Sequence, residues 1–136
     1  MEMDFRILGE LDHPNSNGIV YAKTEIEKAI NEWKENKQNY GELNPDYEHP
    51  NHISLTNVSH KIDDIYIADN NVFAKIELLD TPTGKIAKQL INSGCDLKFA
   101  PRILGNVEKI KKGSGKYTGK MEVKDIDLIT IDIIKP

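Results

Sequence analysis

The chain has one cysteine, Cys95, which excludes an intrachain disulfide framework and fits a reducing compartment. No apolar run approaches the roughly 18 residues of a membrane-spanning helix. The opening Met1-Glu2-Met3-Asp4-Phe5-Arg6 also lacks the basic-then-apolar order of a secretory signal. A soluble intracellular protein without membrane attachment is expected. A surplus of positive charge is missing too: 18 Lys and Arg against 22 Asp and Glu leave a formal net charge of -4, with the signs interspersed. No global field then draws the chain to nucleic acid or anionic lipid, and no specific nucleic-acid partner is expected. Repeats, linkers and low-complexity segments are absent. The 136 residues suit one domain, 1–136, large enough to bury a core without staples.

The elements follow from periodicity and punctuation. Alternation of Phe5, Ile7 and Leu11 predicts a strand over 5–11, ended by Asp12-His13-Pro14 and the turn-forming Asn15-Ser16-Asn17-Gly18. After the extended Ile19-Val20-Tyr21, Thr24 and Glu27 form a capping-box pattern, and Ile26, Ala29, Ile30 and Trp33 recur at helical spacing. A loop rich in Pro, Asn and Asp then runs to His52. The β-branched 53–67 and the alternating Val72, Ala74, Ile76 and Leu78 make a hairpin across Asp69-Asn70-Asn71. Thr81-Pro82 opens a second helix, with Ile86, Ala87, Leu90 and Ile91 as its buried stripe and Gly94 its stop. Beyond it, 97–107 is expected to pair with 116–123 across Lys111-Lys112-Gly113-Ser114-Gly115, and the Ile-rich 126–134 to form a further strand. Strands outnumber helices, and closing them into a barrel would remove exposed edges.

Chemistry-bearing motifs are few. His13, His49 and His52 show no His-x-x-x-His helix and no cysteine partner, so neither a metal nor another cofactor is expected. Asp80-Thr81-Pro82-Thr83-Gly84-Lys85 lacks the spacing of a phosphate loop, and helix capping explains it. Ser93 and Cys95 are nucleophile types, but a lone cysteine is more often a small buried hydrophobe. Lys109, Lys111, Lys112, Lys116 and Lys120 form a local basic hairpin, read as a solvated loop. Gly105 is either a bulge or a strand end.

Four ordered pieces carry a resemblance. Asn15-Ser16-Asn17-Gly18-Ile19-Val20-Tyr21 leads into a helix. Gly41-Glu42-Leu43-Asn44 is followed by His49-Pro50 and by Val58-Ser59-His60-Lys61-Ile62. Leu79-Asp80-Thr81-Pro82-Thr83-Gly84-Lys85 comes third. The fourth is Asp96 to Gly105, with Arg102, followed by Ile131-Asp132. This set resembles the prohead core protease family of tailed phages, which cleaves scaffold and capsid proteins during head maturation. The resemblance implies an α+β fold of the herpesvirus assembly-protease type, a mostly antiparallel β-barrel with flanking helices. It also implies a Ser nucleophile, a His base, a third group that orients the His, and donors for the oxyanion.

Carried over residue by residue, it puts Ala100 at the nucleophile position, His49 or His60 at the base, Asp132 as the late acidic residue, and Arg102 and Gly105 beside the oxyanion. Two departures matter. The family reads Ser, one residue, then Arg where this chain has Ala100-Pro101-Arg102, and a methyl group cannot attack a carbonyl. The family also runs its Gly-Glu-Leu string directly into His-Pro, whereas Pro45-Asp46-Tyr47-Glu48 intervenes here. An ungapped copy, Gly9-Glu10-Leu11-Asp12-His13-Pro14, precedes the Asn-x-Asn piece and so stands in the wrong order.

The resemblance implies a phage head-assembly protein, non-catalytic as written, with a structural or scaffold-associated capsid role. Its partners would be capsid or scaffold proteins and a second copy in a homodimer, and its place the host cytoplasm during assembly, the prohead or the virion. Whether the chain is an enzyme turns on position 100. One alternative is an active Ser endopeptidase seen as a Ser-to-Ala knockout, and another is a generic β-rich binding module. Relatives continue beyond the position of Pro136, so a missing tail or self-processing would account for that end.

Overall fold

The computed structural model describes residues 2–36, 38–45, 48–111 and 117–135. Along them lie β1 (Glu2–Leu8), β2 (Ile19–Tyr21), α1 (Lys23–Asn36), β3 (Tyr40–Glu42), a 3-10 turn (Leu55–Asn57), β4 (Val58–Ala68), β5 (Asn71–Leu78), α2 (Pro82–Asn92), β6 (Lys98–Lys111) and β7 (Tyr117–Ile134).

The β4–β5 hairpin forms where predicted. Asp69 and Asn70 adopt left-handed conformations, φ 49° and 62°, the pair that a two-residue turn matched to strand twist requires. Val72, Ala74, Ile76 and Leu78 are all buried. β4 starts at Val58 rather than Ile53, because the preceding turn closes on itself, Asn57 N–H donating to Ser54 O. β1 pairs antiparallel with β5 and β3 with β4, giving the order β1-β5-β4-β3. β1 ends at Leu8 and not at Leu11. Leu11 is instead a fully buried anchor beside Asn70, exchanging backbone and side-chain hydrogen bonds with it.

A second sheet has the order β2-β7-β6, with β2 parallel to β7. Here the strand pairing differs from expectation. The segments 116–123 and 126–134 belong to the single strand β7, and 98–104 of β6 pairs with the Ile-rich half. Two of the ribbon's three register shifts fall between Arg102 and Asn106. Between Arg102↔Thr130 and Ile103↔Leu128 the extra residue Ile129 has no partner, which turns Leu128 toward the core. Between Leu104↔Asp127 and Asn106↔Lys124 the shift falls at Asp125, whose φ is 53°. Opposite it, a Cβ on Gly105 would meet Val123 Cγ1 at 2.8 Å. Gly105 therefore lies inside β6 opposite a bulge of β7, which fills the space that the glycine leaves. The turn 112–116, with Lys112 and Lys116 of the basic hairpin, lies outside the described residues.

Ile26, Ala29, Ile30 and Trp33 of α1 are buried as their spacing predicts. The helix begins at Lys23, one residue before Thr24, and its first N–H is accepted by Asp12 Oδ1 at 2.9 Å. A distant carboxylate does the capping that Thr24 was expected to do. Thr81 caps α2 as predicted, accepting from Gly84 N at 3.1 Å, and Gly94 ends it with φ 86°. The buried face of α2 differs: Gly84 and Ala87 meet the sheet, whereas Ile86 is 47% exposed. A Cβ at position 84 would lie 2.0 Å from Leu79 O, so the helix sits close enough that only small residues fit between.

The α+β, mostly antiparallel architecture with two helices is as expected, and both sheets enclose one apolar core. Among the described residues closure into a barrel is not observed. On one side the sheets join through a parallel bridge, Leu43↔Ile133, with Asn44 N donating to Ile133 O at 2.8 Å. On the other, β1 and β6 meet by side chains, the Phe5 and Phe99 rings stacking at 3.9 Å. Among the described residues no ladder links those two strands. No helix among them is long and apolar enough to cross a membrane.

Candidate functional site

Alternation along β6 sorts its residues onto two faces. Phe99 points into the core, where it is 3% exposed. Ala100 and Arg102 point to the other face, and across the ladder from them stand Asp132 and Thr130. Arg102 is 3% exposed and Asp132 0%, unusual burial for charged groups and tolerated only when they are paired and hydrogen-bonded.

The pairing is complete on the cation. Arg102 Nε donates to Asp132 Oδ2 at 2.8 Å, and Nη2 donates to Asp132 Oδ1 at 2.8 Å and to Glu42 Oε2 at 2.7 Å. Nη1 donates to Pro50 O at 3.1 Å and to His52 O at 2.9 Å. A guanidinium has five N–H donors, and all five are accounted for. Burial alone would pull the Arg102 pKa down, but the hydrogen bonds and charges of Asp132 and Glu42 outweigh it and hold it above its ordinary value.

The carboxylates are engaged as acceptors. Glu42 N donates to Asp132 Oδ1 at 3.2 Å, and Ser54 N donates to Glu42 Oε1. Each link crosses between segments distant in sequence, from β3 to β7 and from the 49–54 loop to β3 and β6. The loop itself turns at 49–52, His52 N donating to His49 O at 3.0 Å. Its two inward carbonyls, Pro50 and His52, both end on Arg102. The turn that carries the exposed His49 and His52 is thereby fastened to the sheet face that bears Ala100.

His60 has a different environment. It is 0% exposed, its Nε2 donates to Ile131 O at 2.6 Å, and Ser59 Oγ donates to its Nδ1 at 2.8 Å. A carbonyl only accepts, so the proton sits on Nε2 and the neutral ring uses both nitrogens. Burial pushes its pKa down to about 4, the Ile131 hydrogen bond opposing only in part. The ring packs edge-on against Phe99, centroids 5.8 Å apart, and Phe99 faces away from Ala100. The structure therefore gathers Ala100, Arg102, Asp132 and the His49 turn on one face and leaves His60 on the other.

Gly41 explains part of the motif that precedes the site. A Cβ there would lie 2.0 Å from Ile131 O and 2.1 Å from His60 Nε2, so the His60–Ile131 bond crosses the space that only glycine leaves open. Glu42 follows as a buried acid, a participant whose role the Gly41-Glu42-Leu43-Asn44 motif alone does not reveal. Its signal was an acid beside an obligatory glycine, to be matched with a buried arginine elsewhere. Asp46 and Tyr47 of the inserted loop lie outside the described residues.

The remaining candidates lie elsewhere. Gly105 lies on β6 opposite the bulge of β7. Cys95 is exposed beside an apolar groove whose lining includes Leu43, Leu90, Leu97 and Ile134 and no histidine. In the string from Gly9 to Pro14, Asp12 caps α1 and exposed His13 lies 3.4 Å from Glu10. Among the described residues no three His, Cys, Asp or Glu side chains are grouped to hold a metal ion.

Residues 6–134 match the family model described as prohead core protein serine protease. In structure the chain is similar to the bacteriophage T4 capsid assembly protease, gp21. The TM-score is 0.79 at 22% sequence identity, over 99% of this chain and 82% of that one, a likeness that shows the fold. No curated protein sequence matches.

Proposed function

The chain belongs to the prohead core protein serine protease family, and from that membership we propose that it acts in phage head assembly as a member that does not cleave. It would bind scaffold or capsid proteins within the assembling head in the host cytoplasm. The observation that carries this reading is Ala100. It stands opposite Asp132 on the face where Arg102 fastens the His49 turn, and its methyl group offers no oxygen to attack a carbonyl. His49 is the histidine whose turn reaches this face, and in an active relative it would be the base. His60, buried with both nitrogens bonded, suits a role in joining the two sheets.

The completeness of the surrounding cluster favours a second reading. Apart from the hydroxyl at position 100, the buried charges around the site are fully paired. That state is compatible with a Ser endopeptidase in which alanine has replaced the nucleophile. The codon for position 100 in the natural gene separates the two readings. For the assembly role, the chain is co-expressed with the phage scaffold and major capsid proteins and the particles are sedimented. Co-sedimentation with proheads is expected, and a chain found only in the free fraction, with normal heads formed in its absence, contradicts it.

A further inference from the structure

The resemblance gives Arg102 a place beside the oxyanion and Asp132 one among the catalytic groups, but every Arg102 N–H is spent inside the protein. We propose that Glu42, Arg102 and Asp132 are instead positioning residues, a buried latch that fixes the 49–54 segment and its two histidines over the face bearing position 100. This rests on reading position 100 as the site of the family's chemistry.

The arrangement has the features of a latch. Its centre is one cation that bridges four segments: β7 through Asp132, β3 through Glu42, its own strand β6, and the loop through the carbonyls of Pro50 and His52. The loop is held a second time by Ser54 N–H on Glu42. A donor for an oxyanion must be aimed at the place where the charge develops. Arg102 has no such N–H, and releasing one would break a bond to a buried partner. Asp132 likewise takes three N–H donors, two from Arg102 and one from Glu42, and is turned toward the latch.

The test needs no cleavage, so it stands apart from the question of activity. Backbone amide exchange and the imidazole resonances of the four histidines are recorded for the full chain and for Glu42→Gln. A Gln amide in either orientation sets its NH2 against the guanidinium or against Ser54 N–H. The Ser54 amide is expected to exchange roughly tenfold faster or more, and the His49 and His52 signals to shift. His60 and the amides of the β4–β5 hairpin should stay where they are. Unchanged Ser54 exchange with unchanged His49 and His52 signals overturns the proposal. So does an equal shift of His60 and the hairpin, which would indicate a general loss of stability. Should Glu42→Gln not fold, Ser54→Pro removes a single latch donor at a residue whose φ, -78°, already suits proline. Movement of the His49 and His52 signals without His60 is again the expected result, and their constancy the contrary one.

Discussion

Arg102 and Asp132 face the same side of adjacent strands and meet in a two-pronged ion pair, both contacts 2.8 Å, with neither side chain more than 3% exposed. Two charges taken out of water cost several kcal/mol each, and they are tolerated here because the guanidinium is fully hydrogen-bonded and each carboxylate is held by N–H donors. Breaking such a cluster is therefore worse than never having built it.

Arg102→Met leaves Glu42 and Asp132 buried without their cation. A loss of about 3–5 kcal/mol is expected in urea unfolding. Arg102→Lys keeps the charge but not the fork, and should fall between that variant and the parent.

His60 should make the fold acid-sensitive. Its folded pKa of about 4 lies below the ordinary 6.5, so below pH 6.5 the unfolded chain binds the proton that the folded chain refuses. The stability it contributes is whole above pH 6.5 and is lost as pH falls toward 4. The limit is about 3 kcal/mol, at 1.36 kcal/mol per pKa unit. Measured as unfolding free energy against pH, His60→Phe should flatten this part of the curve.

Gly41→Ala drives a methyl group into Ile131 O and the His60 ring. A loss of roughly 3 kcal/mol, at the upper end for overpacking, or failure to fold is expected. Gly9→Ala, with nothing within 4 Å of the new Cβ, should change the melting temperature little.

Local pattern was readable where local physics decides. The α1 stripe, the Asp69-Asn70 turn and the Thr81-Pro82 cap depend on residues a few positions apart, and they stand where the spacing put them. What was not readable depends on distant partners. Asp12 displaces Thr24 as the cap of α1, and the fusion of two expected strands into β7 follows from bulges at Asp125 and Ile129 that leave no mark in an alternation count. Ordered motifs singled out Ala100, Arg102 and Asp132, and the fold sets these three on one sheet face. Glu42 did not, because an acid becomes a core residue only when an arginine sixty positions away is folded against it. The two histidines could not be ranked by sequence; burial and hydrogen bonding of His60 set them apart.

Restoring the hydroxyl should restore reactivity. Ala100→Ser, treated with a fluorophosphonate, is expected to gain one covalent adduct by intact mass. His49→Ala in the same background should slow labelling by a factor on the order of a hundred or more, and Ala100 itself should take none.

Mass spectrometry of scaffold and capsid proteins, incubated with the unaltered chain under assembly conditions, bears most directly on the absence of cleavage. Full-length proteins with no new termini are the expected result. A discrete new terminus that forms with the chain present and not without it would mean that Ala100 does not silence the site, and would contradict the non-cleaving role.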